Sequence, residues 1–399
     1  MDGLVCREYR PEDVHDLLGI RNAIFPPLSV EQWRACEPAM TASLAYLEGE
    51  PVGAIPLDQR PFQVAPGAII RTVFENAVGT REDMRSKGVG SAMIAAAKEF
   101  LADRCDMLMV YRGGERSNGY NFYVKSGHRD LIYVRQALWD TATAGGVQAP
   151  ALQTAVLGLD DLYAEEEAVH AAHLLTYGGY GGFPPRCPGY WRQAMTAMIY
   201  EVIPQETAYV RFPATGELQG YLLAGFASGR YANDTWAVQD VAGEPTAVRE
   251  CFQTLGHMAA GQGRKVVIHL SHEHPWRELC LALGFVEGPR HMMIMGQLIR
   301  PQELVRQTST DLNLLAGLRV RAWTPTWDGV LWEDEPVRRD ITIEGKDDFL
   351  TRLLCRRLDL LRAVETDLVS VQNGDEATVR RLSAAFPYAP WVYLHMDYV

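Results

Sequence analysis

Residues 74–127 read FENAVGTREDMRSKGVGSAMIAAAKEFLADRCDMLMVYRGGERSNGYNFYVKSG. An apolar run, Ala77 to Gly79, and a turn lead into Arg85-Ser86-Lys87-Gly88-Val89-Gly90, which feeds a helical pattern with Met93, Ala97, Phe100 and Leu101 on one face and Lys98, Glu99 and Asp103 opposite. The leading N–H groups of a helix have no intrahelical partner and lie at the positive end of its dipole. A glycine loop that lets backbone approach closely there can hold phosphate oxygens. Arg85 and Lys87 add positive charge. Upstream, Ile69 to Thr80 reads as one long strand. Downstream, Met107 to Tyr111 is a short apolar strand, Tyr120 to Lys125 a helical turn stopped by Gly127, and Leu131 to Leu138 a closing strand. Strand, cradle, helix and strand make a crossover unit in a mixed sheet, with the cradle at the carboxyl end of a strand, where open α/β sheets bind ligands.

Other phosphate loops fit less well. A dinucleotide fingerprint would need glycine where Met93 stands, and no Gly-Lys-Ser/Thr follows as in a nucleotide-triphosphate loop. What remains is Arg/Gln-x-x-Gly-x-Gly/Ala, a pyrophosphate loop for an acyl-coenzyme A, with an ordinary strand-to-helix turn as the bland alternative. Residues 71–127 resemble the core of the GNAT acetyltransferases. Arg85, Gly88 and Gly90 match the loop, and Phe122-Tyr123-Val124-Lys125-Ser126-Gly127 resembles the family's later Phe-Tyr-x-Lys-x-Gly motif. His128 stands where that family usually has Phe or Tyr.

Around this core, residues 4–10 read as a first strand, Pro11-Glu12-Asp13 opens a helix with Val14, Leu17, Leu18 and Phe25 on its apolar face, and Val30 to Cys36 forms a second helix. Ser43 to Leu47 and Val52 to Leu57 flank Glu48-Gly49-Glu50-Pro51, a hairpin signal. TATAGGVQAP, 141–150, is linker-like. A second succession follows: helix 160–175, strands near 196–202, 207–211, 219–227 and 235–241, helix 245–261, strand 265–270, helix 275–283 and strand 290–298. Leu283-Gly284-Phe285 echoes Ser126-Gly127-His128, so an internal duplication is expected. After Val241, AGEPTAV lacks both the spaced glycines and the basic residues, and this copy is expected to hold no phosphate. Residues 301–399 change to alternating strands at 318–323, 330–332 and 341–343, helix 347–356 and a short helical piece at 382–386.

The expected fold class is α/β with mixed sheets, in three domains: 1–145, 146–300 and 301–399. This plan resembles the Eis (enhanced intracellular survival) acetyltransferases: a catalytic GNAT domain, a degenerate GNAT-like domain, and a sterol carrier protein-like tail ending at a free carboxylate. The resemblance implies acetyl-CoA as co-substrate, no metal, and direct transfer of acetyl to a primary amine of a small polyamine or aminoglycoside-like acceptor. A peptide lysine or N-terminus is the alternative acceptor, and a non-catalytic acyl-CoA-sensing protein the alternative class. It also implies a homo-oligomer, a hexamer in the family.

Such a transfer must polarise the thioester carbonyl, deprotonate the amine, protonate the leaving thiolate and hold both reactants. By resemblance, Val78, Gly79 and Thr80 supply backbone N–H groups and Arg85, Ser86, Lys87, Gly88, Val89, Gly90 and Ser91 hold the coenzyme. Tyr123 matches the general acid: a phenol of pKa ~10 can donate to a thiolate whose conjugate acid has pKa ~8.5. A core aromatic is its bland alternative. The proton acceptor is the terminal carboxylate of Val399 or, as rival, Glu75, whose facing strand alternation leaves undecided. Phe25, Trp33 and Glu37 lie where the family forms acceptor pockets, with core packing as the alternative for the aromatics.

The net charge of −12 argues against a nucleic-acid partner, which needs clustered Lys and Arg, and suits a cationic acceptor. Seven scattered cysteines without a C-x-x-C pair and no apolar run near the ~18 residues of a span lead to an expectation of a cytoplasmic protein without membrane attachment. His269-x-x-His272-x-His274 reads as exposed loop histidines rather than a metal site. The aromatic loop Tyr177-Gly-Gly-Tyr180-Gly-Gly-Phe183 reads as a connection or an acceptor-pocket lining.

Overall fold

In the computed structural model of the chain, the described residues are 3–113, 118–141, 153–196, 204–227 and 234–397. They form two compact units, Met1–Ile132 with Met293–Trp391, and Tyr133–Met292 with Val392–Val399.

In the first unit, β1 (Leu4–Glu8), α1 (Val14–Asn22) and α2 (Val30–Cys36) precede a meander of β2 (Met40–Leu47), β3 (Glu50–Ala65) and β4 (Ala68–Glu75). A capping box starts α2. Ser29 Oγ accepts from Gln32 N at 3.2 Å, and Gln32 Oε1 accepts from Ser29 N at 2.8 Å. Then come β5 (Gly79–Thr80), α3 (Val89–Phe100), β6 (Met107–Gly113), α4 (Asn118–Lys125) and β7 (Arg129–Trp139). The strand order is β1-β2-β3-β4-β6, antiparallel through β4 and parallel between β4 and β6. The expected apolar face of α3 is the buried one: Val89, Met93, Ile94 and Ala97 join Val52, Ile55, Leu57 and Val73 of the sheet in one core. Burying side chains of this size stabilises by about 1.5–3 kcal/mol each.

The second unit repeats the succession. β8 (Ala155–Leu157), α5 (Leu159–Ala164), α6 (Glu166–Tyr177) and α7 (Tyr190–Thr196) lead into β9 (Glu206–Phe212), β10 (Gly220–Ala227) and β11 (Thr235–Gly243), which are antiparallel to one another. After α8 (Pro245–Gly261), β12 (Lys265–Ser271) runs parallel to β11, and α9 (Arg277–Ala282) and β13 (Val286–Leu298) close it. The glycines that end α4 and α9, Gly127 and Gly284, both have left-handed φ, 103° and 100°, so the echo between their tripeptides is a shared helix stop.

The tail of the first unit holds α10 (Pro301–Thr308), β14 (Leu318–Thr324), β15 (Trp327–Glu333), β16 (Arg339–Gly345), α11 (Asp347–Leu354), α12 (Leu360–Glu365), β17 (Val369–Gln372) and α13 (Glu376–Ala385). Its sheet runs β15-β14-β16-β17, with β14 and β16 parallel.

Several expectations are corrected. Ile69–Thr80 is two strands, broken at Ala77, whose φ is +44°. The helix expected at 160–175 is two helices. Glu165 leaves helical geometry (φ −114°, ψ 27°) as its carboxylate takes Tyr209 Oη at 2.6 Å and Arg211 Nε at 2.9 Å, partners distant in sequence. Of the strand expected at 196–202, Thr196 is helical and the rest lies outside the described residues, as does most of 141–150. α10, α12 and β17 carry too few residues for a periodic signal.

Candidate active site

The first unit's site is built where β4 and β6 part. Their parallel pairing covers Thr72–Met107, Val73–Leu108 and Phe74–Met109. β6 then runs on to Gly113, whereas the chain after Glu75 turns through Ala77 and leaves β6 while staying on β3, Gly79 opposite Ala54 and Thr80 opposite Gly53. The turn is held by Asn76 N donating to Pro56 O at 2.9 Å and Arg81 N to Val52 O at 2.9 Å. A crevice at the carboxyl ends of two parallel strands results, with β5 on its wall. Helix α1 backs β5: a Cβ on Gly79 would lie 3.2 Å from side-chain atoms of Ile20 and Ile24.

The cradle lies beside it. Arg85, Ser86, Lys87 and Gly88 are exposed, while Val89 is buried and anchors the loop. Ser86 and Gly88 take φ of 61° and 87°, and Gly88 caps α3 with no side chain of its own to bond the leading N–H groups. The space beside Gly88 is clear to 4 Å, so an anion can approach this helix start. Gly90 is tight: a Cβ there would come 2.9 Å from the Phe122 ring. A pyrophosphate fits these residues, with Arg85 and Lys87 as cationic neighbours.

Phe122 and Tyr123 share α4, their rings 5.0 Å apart edge to face. Tyr123 is buried, and its carbonyl accepts from His128 N at 3.0 Å. The His128 ring lies edge-on to Tyr123, with centroids 5.4 Å apart at 76°, and its Nε2 is 3.1 Å from Glu75 Oε1. Both side chains are enclosed, at 0% and 1% exposure, so Glu75 faces inward. Nearby Arg112 is buried at the end of β6. Desolvation lowers its pKa, while Tyr123, Asp130 and Tyr120 oppose that shift. Burial likewise raises the pKa of Asp58, on β3, against the pull of Arg60. Arg112 and Asp58 had no motif to mark them. His128 carried a signal, its departure from the family aromatic, but nothing in the sequence pointed to Glu75 as its partner.

Two of the three expected acceptor residues, Trp33 and Glu37, meet at Tyr9. Trp33 is fully buried and packs edge to face on Tyr9, with centroids 5.6 Å apart. Glu37 is half-buried and accepts from Tyr9 Oη at 2.6 Å, and Phe25 is half-buried beyond the end of α1. Val399 lies outside the described residues.

In the second unit the corresponding strand end is engaged by the unit's own side chains. The Val241 carbonyl near the end of β11 accepts from Tyr177 Oη at 2.7 Å and Trp276 Nε1 at 3.1 Å, and Gly243 N donates to Thr176 Oγ1 at 2.8 Å. Helix α8 opens with Glu244 and Pro245, which puts a carboxylate and a residue without N–H where a phosphate would need donors. Tyr177 and Phe183 are core residues of this unit, so they are not a loop lining. The expected loop histidines are corrected too. His272 is exposed, but His269 and His274 are buried, because β12 carries the first inward and the second accepts from Trp276 N at 3.2 Å. No cluster of three metal-ligating residues occurs among the described residues.

Residues 8–128 match the acetyltransferase (GNAT) family. No curated protein gives a significant match. Solved structures resemble the whole chain. A conserved protein from Enterococcus faecalis V583, described as a probable N-acyltransferase, is 11% identical with a TM-score of 0.73, over 98% of both chains. A GCN5-related N-acetyltransferase from Anabaena variabilis is 14% identical with a TM-score of 0.68, over 97% of this chain and 98% of that one. Eis1 from Mycobacterium abscessus is 14% identical with a TM-score of 0.59, over the same shares. These likenesses establish a shared fold. The family match covers the segment that carries the cradle and Tyr123.

Proposed function

We propose that this protein is an acetyltransferase that moves acetyl from acetyl-CoA directly to a primary amine of a small polyamine or aminoglycoside-like acceptor, using the first unit's site alone. The observation that carries this reading is the α3 N-terminus. Its cap is a glycine with clear space beside it, whereas the second unit's equivalent opens with Glu244 and Pro245, and Tyr177 and Trp276 bond to the Val241 carbonyl just before it.

In this reading Val78, Gly79 and Thr80 present backbone N–H groups to the acyl carbonyl and pantetheine arm, and residues Arg85 to Ser91 hold the pyrophosphate. Tyr123 protonates the departing thiolate. Val399 orients the ammonium and accepts its proton. Two observations favour it over Glu75. The Glu75 carboxylate is enclosed and engaged by His128, and residues 392–397, just before the terminus, are buried rather than frayed. Phe25 and Glu37 contribute to acceptor binding, with Trp33 supporting them from the core. The net charge of −12 suits a cationic acceptor.

The proposal extends to a cytoplasmic homo-oligomer, hexameric as in the Eis-type plan, with a degenerate second GNAT domain and a sterol carrier protein-like tail. All seven cysteines are free, as a reducing compartment requires. No described helix is long and apolar enough to cross a membrane.

The test is thiol release from acetyl-CoA across aminoglycosides, polyamines and lysine peptides. Turnover confined to lysine peptides would replace the acceptor class. Coenzyme A should raise the melting temperature of the wild type but not of Gly88→Asp or Gly90→Asp; no shift at millimolar coenzyme A would defeat the cradle. Unchanged turnover after deletion of Val399, or after a short C-terminal extension, would remove the terminal carboxylate from the mechanism.

A further inference from the structure

Glu75 and His128 come from different parts of the first unit. Glu75 is the last residue of β4, immediately before the break that leads to Gly79 and Thr80. His128 follows Gly127, the left-handed stop of α4. Their Nε2 to Oε1 distance is 3.1 Å, with the side chains 0% and 1% exposed. Both nitrogens of His128 and both oxygens of Glu75 are buried without a hydrogen bond among the described residues, so the 3.1 Å approach is a close electrostatic contact. A buried carboxylate and a buried imidazole facing each other offset part of each other's burial cost; removing one partner leaves the other desolvated and uncompensated.

His128 is also tied to Tyr123 twice. Its N–H donates to the Tyr123 carbonyl at 3.0 Å, and its ring packs edge-on to the phenol ring at 5.4 Å. A continuous linkage therefore runs from the end of β4 through Glu75 and His128 to Tyr123. A hydrophobic Phe or Tyr at position 128 could pack on Tyr123 but could not engage the carboxylate as an imidazole does. A carboxylate left without that partner in a closed core would be costly.

We infer that Glu75 and His128 form a buried positioning dyad that sets Tyr123 against the strand end from which Gly79 and Thr80 continue. This rests on the reading of Tyr123 as general acid. The dyad touches no reacting atom. Its contribution is to hold the phenol in register with the backbone donors, where a displacement near 1 Å can cost on the order of a hundredfold in rate.

The test compares H128F, E75L, the apolar double variant E75L/H128F and the near-isosteric H128Q and E75Q, with Y123F in parallel. Each is read for kcat, KM for acetyl-CoA, urea midpoint and coenzyme A-dependent thermal shift. The single apolar variants should lose stability and turnover. The double variant, which leaves no unpaired buried charge, should regain most of the urea midpoint yet keep a kcat lowered about tenfold or more, with KM and the thermal shift unchanged. H128Q, which retains an N–H donor, should recover part of kcat. If the double variant does not fold, the same split between kcat and KM in E75Q carries the test. Wild-type kcat in a folded E75L/H128F or in E75Q, with Y123F inactive, would overturn the dyad and leave the acid assignment standing. Wild-type kcat in Y123F would overturn the acid itself and the dyad's catalytic role with it.

Discussion

The guanidinium of Arg186 meets the carboxylate of Asp397 through two hydrogen bonds, Nη1 to Oδ1 at 2.7 Å and Nη2 to Oδ2 at 3.3 Å, with both side chains about 99% enclosed within the second unit. Tyr190 Oη donates to the same Oδ1 at 2.5 Å, and its ring lies 4.2 Å under the guanidinium. Desolvation would depress the pKa of Arg186, but Asp397, Tyr190 and Asp240 around it leave it raised. The pair ties the segment 392–397 to the chain just before α7. Removing one partner strands a buried charge: Arg186→Met or Asp397→Leu should cost about 3–5 kcal/mol, and the double variant should recover most of it. Urea midpoints check the energetics. Faster carboxypeptidase trimming of Asp397→Leu than of wild type checks the anchoring.

The two cradle glycines should fail differently. At Gly88 the φ of 87° disfavours any side chain by about 1–2 kcal/mol, yet the space is clear. Gly88→Ala should therefore raise KM for acetyl-CoA with little change in kcat. At Gly90 the obstacle is the Phe122 ring, which a Cβ would approach to 2.9 Å, and Phe122 adjoins Tyr123. Gly90→Ala should lower kcat, and Gly90→Ala/Phe122→Leu should restore part of it. Steady-state kinetics separates the two cases, and an unrescued double variant would count against the steric cause.

The cradle, α3 and the second unit's missing phosphate loop were legible because each rests on neighbours in sequence: glycine spacing, one apolar helix face, and Glu244-Pro245 at a helix start. The dyad was not, because Glu75 and His128 stand 53 positions apart with no local pattern that pairs them, and strand alternation could not choose which side Glu75 faces. The same reason hid the burial of His274, which sits in a segment too short for a periodic signal and takes its environment from distant elements. The break at Ala77 was missed because a left-handed φ at alanine is a tertiary outcome, arising where the chain leaves β6 while keeping β3 as its partner.

Asp106 joins three segments of the first unit. Its fully buried carboxylate accepts from Arg71 N at 3.1 Å, Arg71 Nε at 3.2 Å and Arg71 Nη2 at 2.9 Å, with Arg300 Nε 3.6 Å away. Its carbonyl separately accepts from Ile299 N and Arg300 N at 3.0 and 3.1 Å. β4, the start of β6 and the chain after β13 are thereby held around one side chain. Asp106→Asn keeps the shape but removes the charge, and should cost about 1.5–3 kcal/mol. Asp106→Ala should cost more, since it also strands the Arg71 backbone N–H. Equilibrium urea denaturation measures both, and equal losses in the two variants would argue against the charge as the main contributor.

The second unit should be sensitive to mild acid through His274. Burial pushes this imidazole down to about 3, and its Nδ1 accepts from Trp276 N at 3.2 Å, a bond open only to the neutral ring. In the unfolded chain the same group titrates near ~6.5. Between these values the unfolded state binds the extra proton, so stability is complete above about pH 6.5 and declines as pH falls toward 3, by about 1.4 kcal/mol per pH unit for a single such group. His173, also lowered by burial and then by Arg186 and His170, acts in the same direction. His274→Asn, whose side-chain oxygen can accept from Trp276 N but takes up no proton, should flatten the decline between pH 6.5 and pH 5 by about one proton's worth. Urea midpoints of wild type and variant across that interval give the two slopes. Identical slopes would mean that the folded protein protonates His274 as readily as the unfolded chain does.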